Sequence, residues 1–324
     1  MPLFQAERSN KPNRNDFRIN KINSEFKEQA MPHSIAFKKI GLAGKPDSKA
    51  AQETITVLCD QINALGLEVF LPESKKYNFP NGDAKKIPFH ELGECCDLVI
   101  VVGGDGSMLK TARELIDSQV PLLGVNRGHL GFLTDIRPTE VDTRVPPILD
   151  GQYTLENRFL LYAEVFRDDK SIGTSTAVND VVLYPGEIAR MIQFELYMDR
   201  QFVYSQRSDG LIVSTPTGST AYALSGGGPI LAPQTDTIVL VPMFPHTLTS
   251  RPIAVNKQKV IDIVISETNP HNPQLSCDGQ SIISLAPGDR IVIKQYPIEM
   301  KLVHPLDYDY FEVLRSKLGW GQKL

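Results

Sequence analysis

Residues 98–102, Leu-Val-Ile-Val-Val, run without a break into Gly103-Gly104-Asp105-Gly106-Ser107, and an amphipathic pattern begins at once. Five consecutive apolar residues suit a strand buried on both faces, as in a parallel sheet covered by helices. The pattern after the glycines predicts a helix over 107–117, with Met108, Ala112, Leu115 and Ile116 on one stripe. Strand, glycine turn and helix in direct succession imply an α/β fold. They also put open backbone amides at a helix N-terminus, where an anion can approach. An acid at that turn, Asp105, would repel a bare phosphate. It reads either as a group working on a hydroxyl or beside a metal, or as the cap of a tight turn.

The flanking sequence extends this pattern. Residues 35–42 predict a strand ending at Gly44-Lys45-Pro46. Next comes a helix with Ile55, Leu58, Ile62 and Leu65 on one face and Gly66 as its stop. Strands follow at 67–71 and 121–125, so residues 31–150 read as an α/β domain with an open, mostly parallel sheet. The texture changes near residue 150. Segments 160–166, 177–183, 192–198, 202–204, 211–214, 238–241, 260–265 and 291–295 are short and rich in Val, Ile, Phe and Tyr, and Asp199-Arg200 sits where a hairpin would turn. Residues 151–305 therefore read as an all-β, sandwich-like second domain, giving a two-domain α+β chain. A last helix, 308–318, carries Phe311, Leu314 and Leu318 on one stripe, with Gly319 as its stop. With 306–324 it is expected to pack back on the first domain.

Charge and apolar runs narrow the partners. The 324 residues carry a formal net charge of −4, which leaves no global basic field for nucleic acid or an anionic bilayer. Runs such as 238–243 fall far short of the ~20 apolar residues that span a membrane. Residues 1–30 are polar and mixed in charge, without an apolar signal core, and read as a disordered extension. Four cysteines, none in a C-x-x-C pair and with Cys95 and Cys96 adjacent and poorly placed to bridge or share a metal, fit reduced thiols and a cytoplasmic location. No two of the six histidines stand four apart, which argues against a dedicated zinc site.

Three further segments hold candidate chemistry. Residues 124–133, Gly-Val-Asn-Arg-Gly-His-Leu-Gly-Phe-Leu, follow the strand after the Asp105 loop, so two glycine-rich loops would line one crevice at the strand ends. Asn179-Asp180 interrupts an apolar strand pattern and reads either as a buried pair needing partners or as an exposed bulge. Residues 207–229 lead an apolar strand into a dense run of Ser, Thr and Gly around Tyr222, suited to a nucleotide cradle or, more blandly, to a flexible loop. Cys277-Asp278-Gly279-Gln280 is a polar turn with no single reading. G-x-x-x-x-G-K-[ST], G-x-G-x-x-G and G-x-S-x-G are all absent, which disfavours a P-loop, a Rossmann fingerprint and a hydrolase elbow.

In this order and spacing, Gly103–Ser107, residues 128–133, Asn179-Asp180, residues 208–229, Pro245-His246-Thr247-Leu248, Arg251-Pro252-Ile253 and Asp278-Gly279-Gln280 resemble the NAD kinase family, bacterial in type, over about residues 31–319. The resemblance implies transfer of the ATP γ-phosphoryl group to the 2′-hydroxyl of the adenosine ribose of NAD, with ATP and NAD as substrates and a divalent cation, Mg²⁺. It implies Asp105 as proton acceptor and Gly103, Gly104 and Gly106 as the phosphate-side loop. A carboxylate is a weak base for a free hydroxyl, but in a loose phosphoryl-transfer transition state the proton leaves late and positioning dominates. Asn179 and Asp180 match the family's nucleoside-binding pair, with Asp where many members have Glu. Asp209 and Thr220, Ala221, Tyr222, Ala223, Leu224 and Ser225 match the adenine and ribose cradle. Arg190 and Arg207 match basic positions near the phosphates, and Phe132 and Gln280 match pocket-lining ones. The resemblance also implies a homo-oligomer, dimer or tetramer. The GGDG element is shared with lipid and sugar kinases, and a non-catalytic dinucleotide-binding regulator would show the same cradle. On sequence alone both remain alternatives.

Overall fold

The computed structural model describes residues 36–45, 47–73, 84–127, 131–186 and 190–320. The expected extension at 1–30 and residues 128–130 of the second glycine-rich loop lie outside them.

Strands β1 (Lys39–Gly44), β2 (Glu68–Pro72), β3 (Lys85–Ile87), β4 (Leu98–Gly103) and β5 (Leu122–Asn126) pair in parallel in the order β3-β2-β1-β4-β5. Every residue of β4 is buried, as its unbroken apolar run predicts. Helix α1 (Lys49–Ala64) packs Ile55, Leu58 and Ile62 on one face of the sheet, together with α3 (Val141–Leu149). Helix α2 (Asp105–Leu115) packs Met108, Ala112 and Leu115 on the other. Each of these buried Ile, Leu and Met side chains contributes about 1.5–3 kcal/mol. Three expected boundaries shift. The first strand begins at Lys39, residues 36–38 lying outside it, and residue 35 is outside the described residues. Leu65, 51% exposed, caps α1 instead of extending its stripe. Helix α2 opens at Asp105, two residues early, because Gly104 serves as its N-cap.

The second half is a sandwich of antiparallel strands: β6 (Tyr153–Arg167), β7 (Lys170–Ala177), β8 (Asp180–Tyr184), β9 (Ile192–Met198), β10 (Gln201–Ser208), β11 (Gly210–Ser214), β12 (Thr237–Met243), β13 (Ile253–Asn256), β14 (Ile261–Ile265), β15 (Gln274–Cys277), β16 (Ser281–Ser284) and β17 (Arg290–Pro305). One sheet runs β13-β12-β11-β8-β15-β16. The other, containing β10, β9, β14, β17, β6 and β7, is continuous with the first-domain sheet. Strand β17 makes the join: it is antiparallel to β6 along its length and to β14 over its first part, and parallel to β5 at Leu302 and Val303. The expected segments at 160–166 and 291–295 are thus the end of β6 and the start of β17, two far longer strands whose remaining parts pair at the sheet junction, as Asn157 does with Lys301. Between the sheets, Phe194, Leu196, Leu183, Leu211, Ile263 and Ile293 form the core. The hairpin at Asp199-Arg200 forms as expected, both residues holding positive φ.

The closing helix, α4 (Tyr310–Leu318), begins after the Asp309 side chain caps the Phe311 and Glu312 amides. It buries Val313 and Leu314, while Phe311 is 59% exposed, so the expected stripe is rotated by about one residue. Its Lys317 Nζ lies 5.8 Å over the Phe132 ring, and Arg144 at α3 pairs with Asp307 just before the helix.

Candidate functional site

Asp105 is the first residue of α2, but its side chain does not cap that helix. The carboxylate crosses to the next loop instead. Phe132 N donates to Oδ2 at 2.9 Å, Leu133 N to Oδ1 at 3.1 Å, and Thr134 Oγ1 lies 3.4 Å from Oδ1. Oδ2, with one donor, keeps a lone pair for another partner. Thr134 is itself fixed by Asn126 at the end of β5, whose Nδ2 donates to Oγ1 at 2.7 Å. Gly131 makes the approach possible: a Cβ there would stand 2.8 Å from Asp105 Cγ and overlap Oδ1. At Gly103 a Cβ would strike Ser107. Gly104 differs, for a Cβ built there meets nothing within 4 Å, and one on Gly106 meets only Gln280 Nε2 at 3.9 Å. The fold does not need glycine at those two positions, so their bare backbone is open to an outside group.

The opposite wall is tied to α2 by side chains. Gln280 Nε2 donates to Gly106 O at 2.9 Å, and Gln280 Oε1 accepts from Arg113 at 2.7 Å. Arg113 Nε lies 3.5 Å from Asp278 Oδ2. The buried Asp278 carboxylate accepts from Val178 N at 3.0 Å, Asn179 N at 2.8 Å and Asp180 N at 3.2 Å. Those amides are therefore lost to the ladder, which is why the expected strand 177–183 breaks between β7 and β8 and Asn179 falls at the gap. Asn179 and Asp180 then line a cleft of about 470 Å³ with Tyr184, Ala221, Tyr222 and Gly279. Burial, reinforced by the neighbouring Asp278, pushes the Asp180 carboxyl up to about 7. Near neutrality it can donate a hydrogen bond as well as accept one.

The Ser/Thr run is used differently from the expectation of a hydroxyl-rich cradle. Thr215 Oγ1 donates to Val178 O at 2.6 Å and accepts from Gly218 N. Ser214 Oγ donates to Asn179 O at 3.2 Å, and Ser219 Oγ donates to Pro216 O and accepts from Leu231 N. These buried hydroxyls pin the loop to the Asn179 segment. The cleft is faced instead by Ala221 and the half-exposed Tyr222, with Ala223 anchoring the helical turn Tyr222–Ser225 on the outer face of the β11 sheet.

The predicted residues do not all converge. Asn179, Asp180, Ala221 and Tyr222 line one crevice, and Asp278 and Gln280 tie it to Arg113 and Gly106 of α2, the helix that Asp105 opens. Arg207 is exposed on β10, and Asp209 N donates to Met243 O. Met243 belongs to a second cleft of about 520 Å³, shared with Tyr222, Ser225, Phe244 and Leu248. Arg190, Arg207 and Asp209 are not among the residues lining the Asn179 cleft. Phe132 contributes its amide, while its ring lies against Lys317. Sequence reasoning placed Gly131 in the second glycine-rich loop without a role of its own, passed over Thr134 and Arg113, and left Asp278 without a role. The one available signal was an acid two residues before Gln280.

Sequence comparison bears directly on this crevice. Residues 40–153 match the ATP-NAD kinase N-terminal domain and residues 178–305 the ATP-NAD kinase C-terminal domain. The chain is 53% identical over 288 residues to the NAD kinase of Chromohalobacter salexigens, covering 89% of this chain and 98% of that one. It is 54% identical, with the same coverage, to that of Azotobacter vinelandii.

The chain belongs to the ATP-NAD kinase family.

Its fold is that of solved members. It is similar to yeast NADH kinase complexed with NADH, with a TM-score of 0.80 at 24% identity over 90% of each chain. It is also similar to an Archaeoglobus fulgidus NAD kinase in complex with ATP, with a TM-score of 0.68 at 24% identity over 86% of this chain and 99% of that one. Membership in this family sets aside the lipid and sugar kinase alternatives and the non-catalytic regulator.

Proposed function

We propose that this crevice transfers the γ-phosphoryl group of ATP to the 2′-hydroxyl of the adenosine ribose of NAD, giving NADP and ADP. The bond from O2′ to phosphorus forms, the bond to the β,γ-bridging oxygen breaks, and the hydroxyl proton passes to Asp105. The observation that carries this reading is the Asp105 carboxylate. Two backbone amides lock it at the mouth of a loop whose Gly104 and Gly106 stand open. Preorganisation of this kind supplies the orientation that a weak base needs in a late proton transfer. The bare amides and the N-terminus of α2 favour the phosphate groups. Asn179, Asp180, Ala221 and Tyr222 hold the nucleoside, with Gln280 bracing the loop from across the cleft. Phe132 supports Asp105 through its amide, and Gly103 gives Ser107 its place.

Among the described residues no three His, Cys, Asp or Glu side chains cluster as a cation cage. ATP phosphates and water would supply most of the coordination of a divalent ion such as Mg²⁺, which would neutralise charge on the phosphates. The family resemblance assigns Arg190 and Arg207 to the phosphates and Asp209 to the nucleoside, Asp209 N donating to Met243 O at the second cleft. Phe244 at 77% exposure and Leu248 at 91% suit self-association into a dimer or tetramer. Unpaired cysteines suit a reducing cytoplasm, and no helix among the described residues is long and apolar enough to cross a membrane.

The test is NADP formation by purified protein with ATP, Mg²⁺ and NAD, beside Asp105→Asn. Wild type should turn over, and the variant should lose about 10²–10⁴-fold in kcat while still binding NAD in calorimetry. Equal rates would remove Asp105 from the mechanism.

A further inference from the structure

A buried chain of polar contacts joins the two halves of the site without touching the cleft residues named above. Asp135 directly follows the 132–134 segment that holds Asp105, and its Oδ2 is hydrogen-bonded to Nδ1 of His304 on β17. Among the described residues Asp135 Oδ1 has no partner, so this bond anchors the side chain. His304 Nε2 lies 3.2 Å from Glu156 Oε2 on β6. Glu156 accepts from Arg158 at 2.7 Å, and Arg158 donates to Thr217 Oγ1 at 3.2 Å. Thr217 opens the turn leading to Ala221 and Tyr222, and Thr220 Oγ1 donates back to its carbonyl at 3.2 Å.

Both ring nitrogens of His304 face carboxylates, so both carry protons. Two anions and two cations then balance in a site where His304 and Arg158 are almost wholly buried. The ring stacks on Tyr308 at 3.9 Å, which fixes its plane. A cluster of this kind contributes little to stability beyond what apolar packing of the same volume would, so its geometry matters more than its strength.

We propose that His304 is a positioning residue: it fixes residues 132–135, and through them the Asp105 carboxylate, relative to the cradle at 217–222. This rests on the reading of Asp105 given above. In phosphoryl transfer a misplacement of about 1 Å, far from the chemistry, can cost about 10²-fold in rate.

The experiment is a double-mutant cycle on the full chain, with kcat and KM measured per folded molecule by varying ATP and NAD in turn at a saturating level of the other. His304→Gln keeps bulk but bridges the two carboxylates poorly. It should lower kcat about 10- to 100-fold and leave both KM values within about threefold. In the Asp105→Asn background the same substitution should lower the residual rate by less than about threefold, because the group it positions is already disabled. A full multiplicative loss there overturns the proposal. So does wild-type kcat in His304→Gln beside an inactive Asp105→Asn, which leaves the reading of Asp105 standing. Unaltered turnover in Asp105→Asn removes that reading and this proposal with it. Should His304→Gln not fold, Asp135→Asn carries the same cycle, with a loss of about 5- to 10-fold and the same non-additivity expected.

Discussion

Two glycine-to-alanine substitutions a few ångströms apart should fail in opposite ways. At Gly131 a methyl group would stand 2.8 Å from Asp105 Cγ, where ordinary contact begins at 3.4 Å, and it would overlap the carboxylate oxygen outright. Asp105 must therefore retreat by about 0.6 Å or more at its carboxyl carbon. The retreat pulls its oxygens from the Phe132 and Leu133 amides, where each charge-assisted bond contributes about 1.5–3 kcal/mol. At Gly104 a methyl group meets no protein atom within 4 Å. The only structural cost is a poorer N-cap for α2, about 0.5–1 kcal/mol. Coupled NADP formation with ATP and NAD varied separately distinguishes them. Gly131→Ala should lose about 10- to 100-fold in kcat with little change in KM. Gly104→Ala should melt near the wild-type temperature yet raise the KM for ATP about tenfold or more, since only the incoming phosphates meet its methyl group. Wild-type kcat in Gly131→Ala would refute the claim that the 131–134 segment sets the carboxylate. Unchanged KM in Gly104→Ala would refute the use of that amide by phosphate.

Other consequences follow from burial. Asp180 titrates ordinarily at 3.8 and at about 7 in the fold, so its contribution is complete below the lower value and lost as pH rises through the upper. Asp180→Asn should therefore raise the melting temperature by several degrees at pH 8 and not at pH 4, with about 4 kcal/mol as the ceiling. An equal shift at both pH values would contradict this. Burial opposes charge on His304, but the facing Asp135 and Glu156 outweigh it and lift the group from 6.5 to about 9, with Arg158 and Tyr308 also packed nearby. Its contribution is complete below pH 6.5, so wild type should lose thermal stability as pH rises through about 9. His304→Gln should flatten that decline in a melting series. At Gly210, φ is +150° and a Cβ would overlap the Leu183 carbonyl. Gly210→Ala should cost several kcal/mol in denaturant unfolding, through strain and the broken β11–β8 ladder.

Local chemistry was enough to single out the first half of the candidate site. An unbroken apolar strand must be buried on both sides, and glycines between it and a helix must expose amides. Asp105 was thus identified as an exceptional acid from its immediate neighbours. The α/β domain, the Asp199-Arg200 hairpin and the β-rich second half follow from the same short-range rules of period and turn. What short range does not contain is who answers whom across the chain. The Asp278 carboxylate takes three amides about a hundred residues away, and this breaks a strand that looked continuous. The hydroxyls of the Ser/Thr run looked free to bind and instead point inward. Strand β17 welds two sheets because its second half finds β5, and α4 turns Val313 inward instead of Phe311 because its surroundings, not its own periodicity, decide which face is covered. His304 looked like an isolated histidine. Only folding brings Asp135 and Glu156 to its two nitrogens, since a hydrogen bond between residues 148 positions or more apart leaves no trace in local spacing.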